Sequence, residues 1–169
     1  ENLDPEKLIQ VINGYFTEAV YAINDFRGLT DKFMGDAVMA FFNAPLPQAD
    51  HPLRAVKAAL MMQRTIANHN AVVTHHRPLS FGIGIHVGPA VAGNIGTAQQ
   101  MNYTAIDDTV NLAKRLQENA QGEQIILSQP AYEAVKEVTL VKELGPLVVK
   151  GRTKPVLTYQ LIDLCSSKN

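Results

Sequence analysis

Apolar residues recur at helical spacing in three stretches of the chain, and each stretch begins beside residues that suit a helix N-terminus. Asp4-Pro5-Glu6 combines a capping side chain, a proline for the first helical position and an early acid. Asp50 precedes the second predicted helix, and Asp107-Asp108-Thr109 precedes the third. The apolar positions expected to face inward are Leu8, Val11, Ile12, Tyr15, Phe16, Ala19 and Ile23 in the first helix, Val56, Ala59, Leu60, Met62 and Ile66 in the second, and Val110, Ala113, Leu116 and Ala120 in the third.

Short strand-like runs lie between and after these helices. Residues 29–33 and 38–42 are joined by Met34-Gly35-Asp36, whose glycine and aspartate suit a tight turn, so they predict a hairpin. Residues 79–87 and 90–95, which are separated by Gly88-Pro89, predict a second hairpin. The remaining predicted elements are a loop over 68–78, an exposed continuation of the second hairpin over 99–102, strands over 124–127, 138–149 and 156–162, and a short helix over 130–136.

Helices that alternate with hairpins favour an α+β layer fold with an antiparallel sheet over a doubly wound parallel fold. The 169 residues suit a single domain over 1–169, and 46% hydrophobic with 18% charged residues is typical of soluble globular proteins. A net charge of -1 argues against nonspecific nucleic-acid binding. The single cysteine, Cys165, allows no intrachain disulfide, and no apolar run reaches the roughly 18 residues that span a bilayer. The composition therefore predicts a soluble, cytoplasmic domain that binds no nucleic acid.

The first predicted hairpin carries a candidate cation site. Its turn would place the Asp36 carboxylate at an exposed tip, and Mg²⁺ usually takes one or two protein carboxylates together with phosphate oxygens. Lys32 lies in the strand just before the tip and carries a mobile positive charge. In isolation, however, Gly-Asp is ordinary turn chemistry and Lys32 is an ordinary edge-strand lysine.

The third predicted helix carries a candidate phosphate site. Asn111 and Arg115 are four residues apart and so share one face, from which they could grip ribose and phosphate oxygens. The alternative is a solvated helix face, because Lys114 and Glu118 lie on the same side.

Glycines and histidines elsewhere carry weaker signals. Gly82-x-Gly84-x-x-x-Gly88 has the wrong spacing for a dinucleotide-binding loop and lies inside a strand, so these glycines predict close backbone approach or a bulge. His75-His76 lies in a polar loop without a nearby carboxylate or cysteine, which argues against a metal site there. His86, in an apolar strand, is predicted to be a core histidine with a satisfied partner.

Taken together in order and spacing, the motifs resemble those of the class III nucleotidyl cyclases across nearly the whole chain. The matching blocks are LTDKFMGDAVMA at 29–40, DHPLRA at 50–55, GIGIHVG at 82–88, YTAI at 103–106, TVNLAKRL at 109–116 and VKG at 149–151. The Gly-Gly-acid-acid hairpin signature of diguanylate cyclases is not found, since Met34-Gly35-Asp36-Ala37 occupies the comparable turn. The resemblance implies a ferredoxin-like antiparallel sheet packed with helices.

The resemblance also implies a role for each matching residue. It makes Asp36 one of two metal-binding aspartates, and Lys32 and Thr104 the two residues that recognise the purine. Guanylyl cyclases typically carry glutamate and cysteine at those two positions, so a lysine with a threonine implies ATP. The remaining roles are orientation of the ribose by Asn111, stabilisation of charge on the transferring phosphate by Arg115, and binding of the terminal phosphates by Lys150.

The activity that the resemblance implies is an adenylate cyclase that converts ATP to 3′,5′-cyclic AMP and pyrophosphate with two Mg²⁺ or Mn²⁺ ions per site. The implied assembly is a head-to-tail homodimer whose two active sites each draw residues from both chains. Membrane or sensor domains are implied only for a longer parent chain. The alternatives are a catalytically inactive cyclase-like dimerisation or regulatory module, and an unrelated α+β ligand-binding domain.

The sequence departs from the family pattern in two places. The family begins with a strand that carries the first metal aspartate and a phosphate-binding turn, whereas this sequence opens at Glu1 in the helix that follows. The resemblance therefore implies that such a strand precedes Glu1 in the parent protein. Asp107 stands where relatives usually carry glycine, and aspartate tolerates a positive φ better than most residues, so only a small cost is expected.

Overall fold

The computed structural model describes residues 4–73, 77–149 and 154–165. The chain divides into two compact units, one ending at Leu79 and the other beginning at Ser80. The described helices and strands combine into a mixed α+β fold with four α-helices and mainly antiparallel sheets, which confirms the predicted fold class.

Unit 1 consists of two long helices and a hairpin. The Asp4 side chain accepts a hydrogen bond from the Glu6 N–H at 3.2 Å, and Pro5 occupies the first turn, so the predicted helix start is confirmed. Tyr15, 1% exposed, donates to Asn70 Oδ1, which ties the first helix to the second. The elements are α1 (Pro5–Asp25), β1 (Leu29–Met34), β2 (Ala37–Phe41) and α2 (His51–Val72).

Two details of unit 1 differ from the prediction. Residues 68–72 were predicted to be loop but continue α2, because Asn70 is held by Tyr15 and by the Leu79 carbonyl, which its side chain reaches at 2.8 Å. The buried positions of α2 are Val56, Ala58, Ala59 and Ile66, so Ala58 joins the predicted face while Leu60 and Met62 are only half-buried.

Unit 2 contains a four-stranded sheet, a separate two-stranded hairpin and two helices. The four-stranded sheet has the order β3-β6-β8-β7, in which β3 runs parallel to β6 and the other neighbours are antiparallel. The elements are β3 (Ile83–Ile85), β4 (Val91–Thr97), β5 (Gln100–Ile106), α3 (Asp108–Asn119), β6 (Ile125–Ser128), α4 (Gln129–Val135), a 3-10 turn (Lys136–Val138), β7 (Thr139–Leu147) and β8 (Val156–Leu164).

The predicted strand pairing of the second hairpin is wrong. We expected residues 79–87 to pair with 90–95 across Gly88-Pro89, but β3 pairs with β6 and β4 pairs with β5. The polar residues 99–102 are exposed, as expected, and they form part of the turn and the start of β5. A glycine and a proline indicate a break in the chain, but they do not specify whether the flanking strands pair with each other.

Gly84 shows why β3 lies where it does. A Cβ atom on Gly84 would lie 2.5 Å from the Ala113 carbonyl oxygen and 2.4 Å from the Gln117 nitrogen, so α3 rests directly on the β3 backbone. The expectation of close backbone approach at this glycine is confirmed. On its inner face α3 buries Leu112 and Leu116 against Ile126 and Val149, and Leu112 was not among the predicted inward positions.

Candidate active site

The β1–β2 hairpin presents Asp36 to solvent. Met34 pairs with Ala37, and Gly35 between them adopts a φ of +64°, a left-handed conformation that glycine adopts without steric cost. A Cβ on Gly35 would meet no atom within 4 Å, so conformation rather than space selects glycine at this position. Asp36 follows directly and is exposed, as the turn chemistry predicted.

Lys32 follows an irregularity in β1. The register changes between Thr30, which pairs with Ala40, and Lys32, which pairs with Met39, so Asp31 is an extra residue on this strand. Lys32 Nζ lies 3.2 Å from Asp31 Oδ2. The Asp31 side chain is 2% exposed, whereas that of Lys32 is 47% exposed. Nothing in the sequence reasoning singled out Asp31, although an acid directly beside a candidate lysine was a usable signal.

In unit 2, Thr104 lies in β5 opposite Gly93 and is 7% exposed. Its cross-strand partner therefore carries no side chain.

The third helix carries Asn111 and Arg115, and both side chains are accessible. Arg115 Nη1 donates to Glu118 Oε2 at 2.6 Å, and Lys114 Nζ lies 3.8 Å from Glu118 Oε1. The polar face that was predicted as an alternative to a phosphate site is therefore present, with Glu118 as the shared acceptor. An exposed ion pair of this kind contributes only about 0–1 kcal/mol, so it does not prevent Arg115 from binding an anion.

The start of α3 settles the question raised by Asp107. This residue has a φ of 167°, which is extended backbone, so no positive φ is required here. Its side chain accepts a hydrogen bond from the Asp108 N–H at 2.6 Å, which stabilises the start of the helix. Thr109 Oγ1 donates to the Pro89 carbonyl and so links the same turn to the chain between β3 and β4.

The structure thus places the predicted site residues in two groups. Lys32 and Asp36 share the hairpin of unit 1, whereas Thr104, Asn111 and Arg115 lie on β5 and α3 of unit 2. Lys150 and the His75-His76 pair lie outside the described residues. His86 has a partner, as predicted, because its Nδ1 lies 2.7 Å from the fully buried Ser128 Oγ.

A divalent cation is compatible with the hairpin. Within residues 4–73, 77–149 and 154–165, no three His, Cys, Asp or Glu side chains are grouped to hold a metal ion. Asp36 nevertheless offers an exposed carboxylate, and Mg²⁺ is commonly bound by one or two carboxylates with substrate phosphates completing its coordination. The donor set thus suits a cation that arrives with a nucleotide rather than one held by protein alone.

None of the helices in the described part of the chain is both long and apolar enough to cross a membrane.

Comparison with known proteins assigns the chain to a family. The family model described as "Adenylate and Guanylate cyclase catalytic domain" matches residues 1–163. The terminal-differentiation-specific adenylate cyclase of Dictyostelium discoideum is 32% identical over 96% of this chain, and the chain spans 8% of the length of that protein. Both figures agree with a catalytic module that also occurs within much larger proteins.

Two crystal structures are similar to the chain over nearly all of its length. The adenylyl cyclase CyaB from P. aeruginosa superposes with a TM-score of 0.88 at 32% identity, over 96% of this chain and 85% of that one. The guanylyl cyclase Cya2 superposes with a TM-score of 0.91 at 33% identity, over 99% of this chain and 86% of that one. With its motifs, its fold and this match, the chain belongs to the family of adenylate and guanylate cyclase catalytic domains.

Proposed function

We propose that the chain is the catalytic domain of an adenylate cyclase and converts ATP to 3′,5′-cyclic AMP and pyrophosphate. The observation that carries the choice of ATP is the pair Lys32 and Thr104 at the two purine-recognition positions. Overall similarity does not decide the purine, because an adenylyl and a guanylyl cyclase are 32% and 33% identical to the chain. The decision rests on hydrogen-bond chemistry at these two residues.

The two side chains match adenine. An ammonium can only donate, and adenine N1 is an acceptor, whereas guanine carries a hydrogen at N1. A threonine hydroxyl can accept from the exocyclic amine of adenine. GTP would bring its N1–H against the Lys32 ammonium, so that two donors face each other, and we therefore expect it to be a poor substrate.

The proposed reaction is an in-line displacement at the α-phosphorus. The ribose 3′-oxygen loses its proton and forms a bond to the α-phosphorus, while the bond to the bridging oxygen breaks and pyrophosphate leaves with the electron pair. Asn111 orients the ribose, Arg115 stabilises negative charge on the transferring phosphate, and Lys150 binds the terminal phosphates. Asp36 would hold the divalent cations, Mg²⁺ or Mn²⁺, which when bound neutralise phosphate charge and polarise the phosphate oxygens.

The proposed active form is a homodimer with two shared sites, each taking the metal aspartates from one chain and the purine and phosphate residues from the other. In this arrangement Lys32 and Asp36, which lie four residues apart on one hairpin, would serve opposite sites. The proposal treats residues 1–169 as one cyclase catalytic domain that lies in the cytoplasm.

The activity test is cyclic AMP formation from ATP by the full-length protein with Mg²⁺ or Mn²⁺. We expect activity that EDTA abolishes and that excess Mg²⁺ restores, with GTP much less effective. Cyclic GMP formation from GTP at an equal rate would contradict the choice of ATP. Absence of both products in a folded protein would favour the inactive dimerisation module instead.

The shared-site arrangement has its own test, in which Asp36→Ala protein is mixed with Arg115→Ala protein. Each is expected to be inactive alone, because every site in its homodimer lacks one essential group. Random pairing of the two leaves one intact site in half of the dimers, so activity should return to about a quarter of the native value. A mixture as inactive as its components would rule out sites shared between chains.

A further inference from the structure

The irregularity in β1 brings together two neighbouring side chains of opposite charge. In a regular strand, successive residues point to opposite faces, so an acid and a lysine next to each other do not meet. The extra residue at Asp31 breaks this alternation, and Lys32 Nζ then lies 3.2 Å from Asp31 Oδ2. Bulges of this kind often redirect a side chain beside an active site.

The two partners differ sharply in exposure. With only 2% of its side chain exposed, Asp31 is fixed by the protein around it, while Lys32 reaches solvent with 47% of its side chain. A lysine on a four-carbon stem samples many rotamers, and ordering it on a ligand costs conformational entropy. A fixed carboxylate restricts those rotamers before any ligand binds, and an ammonium carries three donors.

We propose that Asp31 is a positioning residue that holds the Lys32 ammonium in the orientation from which it reads the purine, and that Asp31 thereby contributes to the preference for ATP over GTP. This inference rests on the proposed function, in which Lys32 donates to adenine N1. Asp31 acts through Lys32 and does not itself touch the nucleotide. Its effect should therefore appear in the discrimination between the two purines rather than in the rate of the chemical step.

The experiment compares kcat/KM for ATP and for GTP in the full-length protein and in Asp31→Asn, Lys32→Ala and the double variant. We expect Asp31→Asn to reduce the ATP-to-GTP ratio of kcat/KM about tenfold, mainly through a higher KM for ATP, which is the size expected for a charge-assisted hydrogen bond. Lys32→Ala should reduce the ratio at least as much. In the Lys32→Ala background, Asp31→Asn should have no further effect, because there is no longer an ammonium to position.

The control variant is Asp25→Asn, which removes one negative charge from an exposed position at the end of α1 in the same unit. We expect its ATP-to-GTP ratio to equal that of the unaltered protein. Both substrates are measured on one preparation, so a reduced folded fraction cancels from the ratio. Should Asp31→Asn give no soluble protein, Asp31→Ser provides a smaller neutral side chain for the same comparison.

The outcomes separate this inference from the function on which it depends. An unchanged ratio in Asp31→Asn, together with a reduced ratio in Lys32→Ala, would overturn the positioning role and leave the purine assignment intact. A reduced ratio that persists in the Lys32→Ala background would also overturn it, because Asp31 would then act independently of the lysine. An unchanged ratio in Lys32→Ala would overturn the purine assignment itself, and with it the role of Asp31.

Discussion

Two ion pairs, one in each unit, involve candidate site residues but differ in their surroundings. The hairpin pair, Asp31 with Lys32 in unit 1, joins a carboxylate that is 2% exposed to a partly exposed cation at 3.2 Å. The helix pair, Arg115 with Glu118 in unit 2, is shorter at 2.6 Å, but its partners are 42% and 38% exposed. Ranked by distance alone, the helix pair would be the stronger one.

Exposure reverses that ranking. Water and salt screen the helix pair, and both of its long side chains are free to reorient, so its net contribution is small. In the hairpin pair, a carboxylate fixed within the protein defines where the cation is found. The comparison indicates that the Lys32 ammonium lies against a fixed carboxylate, whereas Arg115 could exchange Glu118 for another anion at little cost.

The largest expected effect separates the roles of Arg115 and Lys32. Arg115→Ala should lower kcat for ATP about 100-fold or more, because it removes charge stabilisation from the transition state. Its ATP-to-GTP ratio of kcat/KM should stay close to native, whereas Lys32→Ala should lose most of the preference for ATP. Steady-state kinetics with both nucleotides measures the difference. A change in purine preference in Arg115→Ala would contradict the proposal that Lys32 recognises the purine and Arg115 does not.

The next effect compares two glycines in the backbone near Arg115 and Lys32. Gly84 lies beneath the helix that carries Arg115, and Gly35 lies in the hairpin that carries Lys32. Gly84→Ala should lower the free energy of unfolding by about 3 kcal/mol, because its Cβ would overlap the α3 backbone at Ala113 and Gln117. Gly35→Ala should cost about 1 kcal/mol, since only the left-handed φ opposes it. Urea unfolding of both variants provides the measurement.

The control for both glycine variants is Gly93→Ala in β4, where an added Cβ meets no atom within 4 Å. Its stability should lie within about 0.5 kcal/mol of native, as for most unstrained surface changes. Equal losses in Gly84→Ala and Gly93→Ala would mean that α3 shifts to accommodate the methyl group.

A smaller effect tests the two acids directly. Glu118→Gln should change kcat/KM for ATP by less than about threefold, in either direction, because an exposed ion pair contributes little. The tenfold change in purine preference expected for Asp31→Asn would then contrast with it. Raising the salt concentration should reduce even the small effect of Glu118→Gln. A tenfold or larger effect of Glu118→Gln would mean that the helix pair matters as much for the kinetics as the hairpin pair.

The smallest effect concerns how stability depends on pH, and it again differs between the units. In unit 1, burial lowers the pKa of His51, and the nearby Asp50 only partly opposes this shift. In unit 2, the pKa values of Lys136 and Tyr159 are raised and lie in the alkaline range. The unfolded chain therefore binds a proton at His51 more readily than the folded chain. Stability from this group is present above about pH 6.5 and is lost as pH falls through the lower folded pKa.

Substitution of His51 checks this contribution. In His51→Gln, the free energy of unfolding measured by urea titration should depend less steeply on pH, as the pH falls below about 6.5, than in the native chain. An unchanged slope would show that His51 is equally accessible to protons in both states.

Local signals were enough to predict most of the elements. Asp4 and Pro5 start α1, and Gly35 with Asp36 forms the hairpin turn, because capping and turn conformations depend on residues within a few positions of each other. The pairing of β3 was not predictable in the same way. Its partner, β6, lies some forty residues further along the chain, and α3 covers Gly84 in between. Such contacts depend on which surfaces pack together.

By itself, the sequence determined most of the helices and the first hairpin, since these follow from residue type and spacing, and its motifs indicated the family by resemblance. Only the tertiary structure decided that β4 pairs with β5, that α3 rests on Gly84, and that the acid beside Lys32 is buried. The physical reason is that burial belongs to the whole packed unit. An aspartate next to a lysine gives the same sequence pattern whether the aspartate is exposed or buried. The surroundings of the aspartate in the fold decide whether it is a surface charge or a fixed partner of the lysine.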